Sequence, residues 1–427
     1  MTRVRRAGRQ TFRSLRHPAF RRYVTGQLVS ASGTWMQQVA MVWLVLRLTG
    51  NGVAVGAVGA LQFLPVLVLG AWAGSVADRV DKRRLLVVTS CVAAATALFL
   101  GVLTLLDAIT VWAVYGTAIA LGVANALDNP ARRSFVTELV PAGDEANAVS
   151  LNSTVFTTAR IVGPAAAGLM IATIGTGWCF VANSLSYLAM VAALAGLRRS
   201  ELRPSTPVVA RRGLVREGLR YAWANPPVRR ALWLTAVVGT LSFNFQVTLS
   251  LLVEDEFGGE AGSFGVLYAL MSVGALVGSL VVAHRRAVSQ RFVAAAAFAF
   301  GGLMLGAAAA PTLGLEAVAL VPMGAASIAF LAGAGALAQT ASEPAYRGRV
   351  AALFAVAFLG STPIGGPIIG WISEQWGPRA GMLLGAAAAL AAGAVALRAI
   401  ARERLAASEA ASDLTLTPDL APAPATP

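Results

Sequence analysis

The chain has 427 residues, 57% of them hydrophobic and only 13% charged, with a formal net charge of +14. Soluble domains carry about 25% charged residues, so a soluble globular protein is excluded; apolar blocks of roughly twenty residues mark a polytopic helical membrane protein. The charge is not a nucleic-acid footprint, because every one of the 34 cations except Arg47, Arg160 and Arg379 falls in segments expected on one membrane face, the distribution that orients membrane helices.

Residues 1–22 form a basic segment with eight arginines, read as a topology signal or as a binder of anionic lipid. The first span, 23–46, is too long for a signal peptide and unusually polar, with Gln27, Ser30, Ser32, Thr34, Gln37 and Gln38. Such groups need partners or water inside a bilayer. Further spans are expected at 53–77, 85–106, 111–130, 147–174 and 178–197. Between the second and third lies Gly74-Ser75-Val76-Ala77-Asp78-Arg79-Val80-Asp81-Lys82-Arg83-Arg84, a tight turn. Its glycine would let two helices approach closely. Asp78, at the mouth of a span, needs Arg79, Arg83 or a helix N-terminus as partner.

Residues 198–230 carry nine arginines and four prolines. They read as a cytoplasmic linker with a short amphipathic helix at 214–223. Six more spans follow at 231–253, 264–283, 292–310, 313–338, 350–372 and 380–397, then a tail from 401 expected to be disordered. At an offset of 203 residues, 137–164 aligns without a gap onto 340–367, with identities that include Pro141/Pro344, Gly163/Gly366 and Pro164/Pro367. The chain therefore reads as two related halves, 23–197 and 231–400, with both termini and the linker cytoplasmic.

Three stretches carry a resemblance. The turn with Gly74, Asp78, Arg79, Arg83 and Arg84 resembles the loop between helices two and three of the major facilitator superfamily, with Asp81 replacing that pattern's second glycine. The fifth span carries Gly163, Pro164 and Gly168 and resembles the exporter signature of that superfamily; Ala159 stands where the pattern has a glycine. Its physical reading is a small-residue face that seals against the other half, or a plain packing seam with a kink. Phe20-Arg21-Arg22-Tyr23, Asn129-Pro130-Ala131 and Leu139-Val140-Pro141 look like the transmembrane-secretion-effector branch, which resembles an enterobactin exporter and macrolide pumps. The resemblance implies an all-α membrane protein of twelve transmembrane helices in two pseudo-symmetric six-helix bundles. It also implies proton-coupled export of a small molecule, a drug or siderophore-like metabolite, from an inner membrane, as a monomer. Uptake of a metabolite, or a sensor that no longer transports, are the alternatives.

No nucleophile–base set, phosphate loop or metal spacing is present, and Cys91 and Cys179 lie inside apolar blocks, so no enzyme, cofactor or disulfide framework is expected. Proton coupling needs a titrating group, yet no Asp or Glu is expected in the middle of a span. Asp128 is nearest, about one turn inside the fourth helix, either as the coupling acid or simply paired with Arg132 or Arg133. Arg160 is the one charge expected near mid-membrane, where an arginine costs about 2.5–3.5 kcal/mol on insertion scales. It either lines a central cavity with Gln37, Gln38, Asn244 and Gln246, or snorkels toward Asp128 in a structural role. Ser242-Phe243-Asn244-Phe245-Gln246 on the seventh span would face the polar first span across that cavity.

Overall fold

Side-chain caps fix where several helices begin. Asp81, Thr110, Asn225, Ser289 and Thr312 each accept a hydrogen bond from a backbone N–H three residues on, satisfying one of the donors a helix start leaves bare. In this computed structural model the described residues are 12–416, apart from 78, 204–213, 286 and 361, and among them every regular element is helical.

The first bundle contains α1 (Pro18–Thr49), α2 (Gly52–Ala77), α3 (Lys82–Leu105), α4 (Val111–Glu138), α5 (Glu145–Ile174) and α6 (Thr176–Ala195). A short helix, α7 (Leu214–Ala224), precedes the second bundle. That bundle holds α8 (Pro226–Ser242), α9 (Phe245–Leu251) with a π-type turn over Leu252–Glu256, α10 (Ala261–His284), α11 (Gln290–Ala308), α12 (Leu313–Thr340), α13 (Arg347–Leu359), α14 (Thr362–Trp376) and α15 (Pro378–Leu416). Counting Pro226–Glu256 and Arg347–Trp376 as single crossings, eleven segments are long and apolar enough to span a bilayer. The remaining long helix, α1, has 32 residues; its polar side chains keep it below that threshold. It packs between α5 and α6 as a twelfth member of the helical set.

Lipid gives helices little hydrophobic reason to associate, so close packing of small residues does that work. Within the first bundle α2 packs on α4, α3 on α6, and α1 on α5 and α6; within the second, α10 packs on α12 and α11 on α12 and α15. Two seams join the bundles: α2 against α14, and α5 against α10. Both are built on glycine. A Cβ at Gly56 would overlap the Gly366 carbonyl, and one at Gly265 would lie 2.6 Å from the Pro164 oxygen. Pro164 of the first repeated Gly-Pro pair and Gly366 of the second therefore both lie in seams between the bundles, while Gly163 faces α1.

Several boundaries differ from expectation. Helix α4 continues through Pro130 to Glu138, because a proline removes only one backbone donor and membrane helices tolerate that loss. Asp128 consequently lies ten residues from the end of its helix, about 15 Å at 1.5 Å per residue. Helix α15 runs to Leu416, well past the expected start of a disordered tail at 401. The added stretch is rich in Ala, Glu, Arg and Leu, the strongest helix formers. The seventh span is broken at Phe243-Asn244 rather than continuous. At the other end of the chain, the turn Arg13–Arg16 is strapped to the α4–α5 loop. Arg13 pairs with Asp144 at 2.5 Å, and the Ser14 N–H donates to Asn147 Oδ1 at 2.9 Å. His17 lies 2.8 Å from Asp144, and this hydrogen bond, with the Arg13 charge, holds the Asp144 carboxyl below its usual range.

A candidate transport site between the bundles

The break in the seventh span is the first element of the site. Ser242 ends α8 and Phe245 begins α9. Asn244 Nδ2 donates to the Thr240 carbonyl at 2.7 Å, replacing backbone bonding that the break removes. The end of α13 supplies Phe358, whose ring meets Phe243 edge-on with centroids 5.4 Å apart. Phe243 also contacts Phe245 and Phe300 at 5.5 and 5.4 Å. Phe245 and Phe300 are buried, whereas Phe243 is only partly so. Irregular backbone at membrane depth is tolerated where it lines a cavity, and discontinuous helices are where transporters place their sites.

The second element comes from α1 and α5. Arg160 stands midway along α5, with its guanidinium carbon 5.2 Å from the Trp35 ring centroid. Its Nε is buried with no hydrogen-bond partner. A cation over an indole face gains about 0.5–2 kcal/mol, which offsets part of the cost of an arginine at this depth. Trp35 in turn lies 6.4 Å from Tyr268 of α10. One turn further along, Gln246 Nε2 donates to Gln38 Oε1 at 3.3 Å, a direct bond between the bundles. Toward the end of α1, Trp43 stacks on Phe264 at 6.4 Å, and Arg47 reaches Glu254 at 3.9 Å.

The other candidates fall elsewhere. Gln37 is buried in the first bundle, accepting from Asn183 at 2.6 Å. Asn244 serves the helix break. Asp128 belongs to a network near the arginine-rich face: Arg132 grips it at 2.6 and 2.8 Å, Thr89 donates to it at 2.9 Å, and Arg132 also bonds Gln27. Arg160 takes no part in that network. In the α2–α3 turn, Asp78 lies outside the described residues. Arg79 and Arg84 are exposed, Arg84 lying 3.8 Å from Asp81. Arg83 donates to the carbonyls of Leu194 and Ala195 at 2.7 Å each, capping the end of α6. Nothing stands within 4 Å of a Cβ built on Gly74, so the close approach expected there is absent; the tight contacts are at the opposite ends of the helices. Gly163 packs on α1, where a Cβ would lie 2.5 Å from Trp35 Cβ, and Gly168 faces Gly262 and Gly265 of α10.

One residue escaped the sequence reading. Glu316, in the first turn of α12, is fully buried, and both its carboxyl oxygens lack a hydrogen-bond partner. Arg379 is the cation whose charge reaches it, while itself pairing with Glu256 at 3.2 Å. The residue sits inside an apolar block, and only its place four residues after the capping Thr312 distinguishes it. Among the described residues no group of His, Cys, Asp or Glu could hold a metal ion.

A broken seventh span and two glycine seams about a polar and aromatic centre fit a membrane transporter of the major facilitator type. The chain belongs to the transmembrane secretion effector family, whose profile matches residues 9–423. It is 27% identical to the staphyloferrin A transporter of Staphylococcus aureus over 58% of this chain and 63% of that one, so that match spans under two thirds of the relative. It is 27% identical to the multidrug efflux pump Tap of Mycolicibacterium fortuitum over 83% of this chain and 89% of the pump. It is 25% identical to macrolide efflux protein A of Streptococcus pyogenes over 34% and 36%. The fold is shared with a bacterial homologue of the human lysosomal transporter Spinster in an inward-facing, occupied conformation. That pair has a TM-score of 0.71 at 14% identity, with 90% of this chain and 96% of that one covered.

Proposed function

We propose that this protein is a proton-coupled exporter of an amphiphilic small molecule, working by alternating access between the bundles 23–197 and 231–400. Its arginine-rich face, with both termini, is cytoplasmic. The observation that carries the reading is the meeting of Arg160, Trp35, Gln38 and Gln246 beside the broken seventh span. A fixed cation and two amides suit a polar or anionic group on the cargo, and the phenylalanine cluster suits an apolar body. The named relatives that pump drugs and a siderophore fit such a cargo. The contacts that join the bundles gather toward the end away from the arginine-rich face, which describes an inward-facing state.

For the proton we favour Glu316 over Asp128. Asp128 is held by two Arg132 nitrogens and Thr89. Glu316 has no hydrogen-bond donor among the described residues, and burying an ionised carboxyl without one costs several kcal/mol. The gate in the α2–α3 turn, Gly74, Asp78, Arg79, Arg83 and Arg84, would engage only in the outward-facing state.

Reconstituted vesicles with an imposed proton gradient test the reading. Dye or siderophore-like cargo should accumulate on the side from which protons leave, and dissipating the gradient should stop it. Movement of cargo in the same direction as protons makes the protein an uptake permease.

A further inference from the structure

At the arginine-rich face of the second bundle, the ends of α8, α11 and α12 and the 400–404 stretch of α15 border an open cleft of about 430 Å3. Arg230, Arg291 and Arg404 line it, against a single acid, Glu403. Arg230 is fixed in place. Its side chain is only 15% exposed, donates to Gln290 at 2.6 Å and pairs with Glu403. Arg291 and Arg404 are exposed, and neither has an ion-pair or hydrogen-bond partner among the described residues. The start of α11 opens on the same cleft. Ser289 takes the N–H of Phe292 at 3.2 Å, which leaves the amides of Gln290 and Arg291 without an intrahelical acceptor and adds partial positive charge. The inner wall is apolar, with Leu337 and Ile400 both buried.

We propose that this cleft binds a phosphate-bearing anion, presented as the headgroup of an anionic phospholipid or as a soluble phosphorylated molecule. One anchored guanidinium, two uncommitted ones and a helix start offer donors from several directions. A phosphate is tetrahedral, with two terminal oxygens sharing one charge in a diester and three terminal oxygens in a monoester, so donors from several directions engage it together, as they do not engage a planar carboxylate. The apolar wall behind the donors, Leu337 and Ile400, would take the glycerol and first acyl carbons of a lipid, and basic pockets between helices at a cytoplasmic membrane face take such headgroups. Glu403 competes for Arg230, so it sets the affinity from within the site.

The test uses the full-length protein in detergent, titrated with phosphatidylglycerol, phosphatidylcholine and inorganic phosphate, with bound species counted by native mass spectrometry. Phosphatidylglycerol should bind in preference to phosphatidylcholine. The double variant R291Q/R404Q should weaken that binding about 25-fold, at about fivefold per arginine, with an unchanged lipid-free Tm. E403Q, which frees Arg230, should strengthen it. If inorganic phosphate rather than phosphatidylglycerol shows this dependence on the three positions, the ligand is soluble and the site stands. Equal binding of phosphatidylcholine, binding unaltered in both variants, or no binding of either anion overturns the proposal.

Discussion

Arg160 and Arg132 are both arginines inside membrane helices, yet their surroundings assign them opposite work. Arg132 completes a bidentate pair with Asp128, and both side chains are nearly buried. Arg132→Gln leaves a buried carboxylate without its cation, a loss of about 3–5 kcal/mol, so the Tm and membrane abundance should fall together. Arg160 has only an indole beneath it and a buried Nε without a partner. Arg160→Gln should keep the wild-type Tm and abolish export, with Arg160→Lys recovering part of it. A drop in Tm for Arg160→Gln with normal transport by the surviving protein would make the residue structural. Glu316→Gln replaces a buried titratable carboxyl with an amide of nearly the same shape that cannot ionise. It should hold or raise the Tm while cargo flux loses its response to an imposed proton gradient; a retained response clears Glu316 of the coupling role.

Among the elements, the glycine seams are proposed to hold the inward-facing state. Any side chain on Gly265 collides with the α5 backbone. Gly265→Leu should therefore cost about 1–3 kcal/mol in the inward-facing state alone and shift the population roughly 5- to 150-fold toward the outward-facing one. Spin labels at Arg84 and Glu343, both exposed on the arginine-rich face, should then report a shorter distance than in the wild type. An unchanged distance removes the seams from the switch. The same elements show what a sequence discloses. Gly163-Pro164 and Gly366-Pro367 stood out because paired motifs at one offset survive in a low-complexity apolar chain. The break at Phe243-Asn244 did not, since two phenylalanines flanking an asparagine fit a continuous helix, and only the Asn244–Thr240 bond reveals the interruption. Gln37 and Gln38 are adjacent and identical, but helical geometry turns one into the bundle and the other into the seam, a distinction that composition cannot make.

For the whole molecule, orientation is the property most directly tested. Single cysteines at Gly259 and Ser205, in a background lacking Cys91 and Cys179, should label from opposite sides of intact cells; labelling from one side contradicts an even number of crossings. Helix α1 bears on how that topology is reached. Its buried Gln27 and Gln37 find partners among the described residues on Arg132 of α4, on Met41 one turn along α1 and on Asn183 of α6, all but the local one made from chain synthesised more than a hundred residues later. A nascent α1 leaving the insertion machinery therefore has little reason to remain in lipid by itself. On this reading its residence in the bilayer would be completed only when α4 and α6 arrive, and the first bundle would mature as a unit instead of helix by helix.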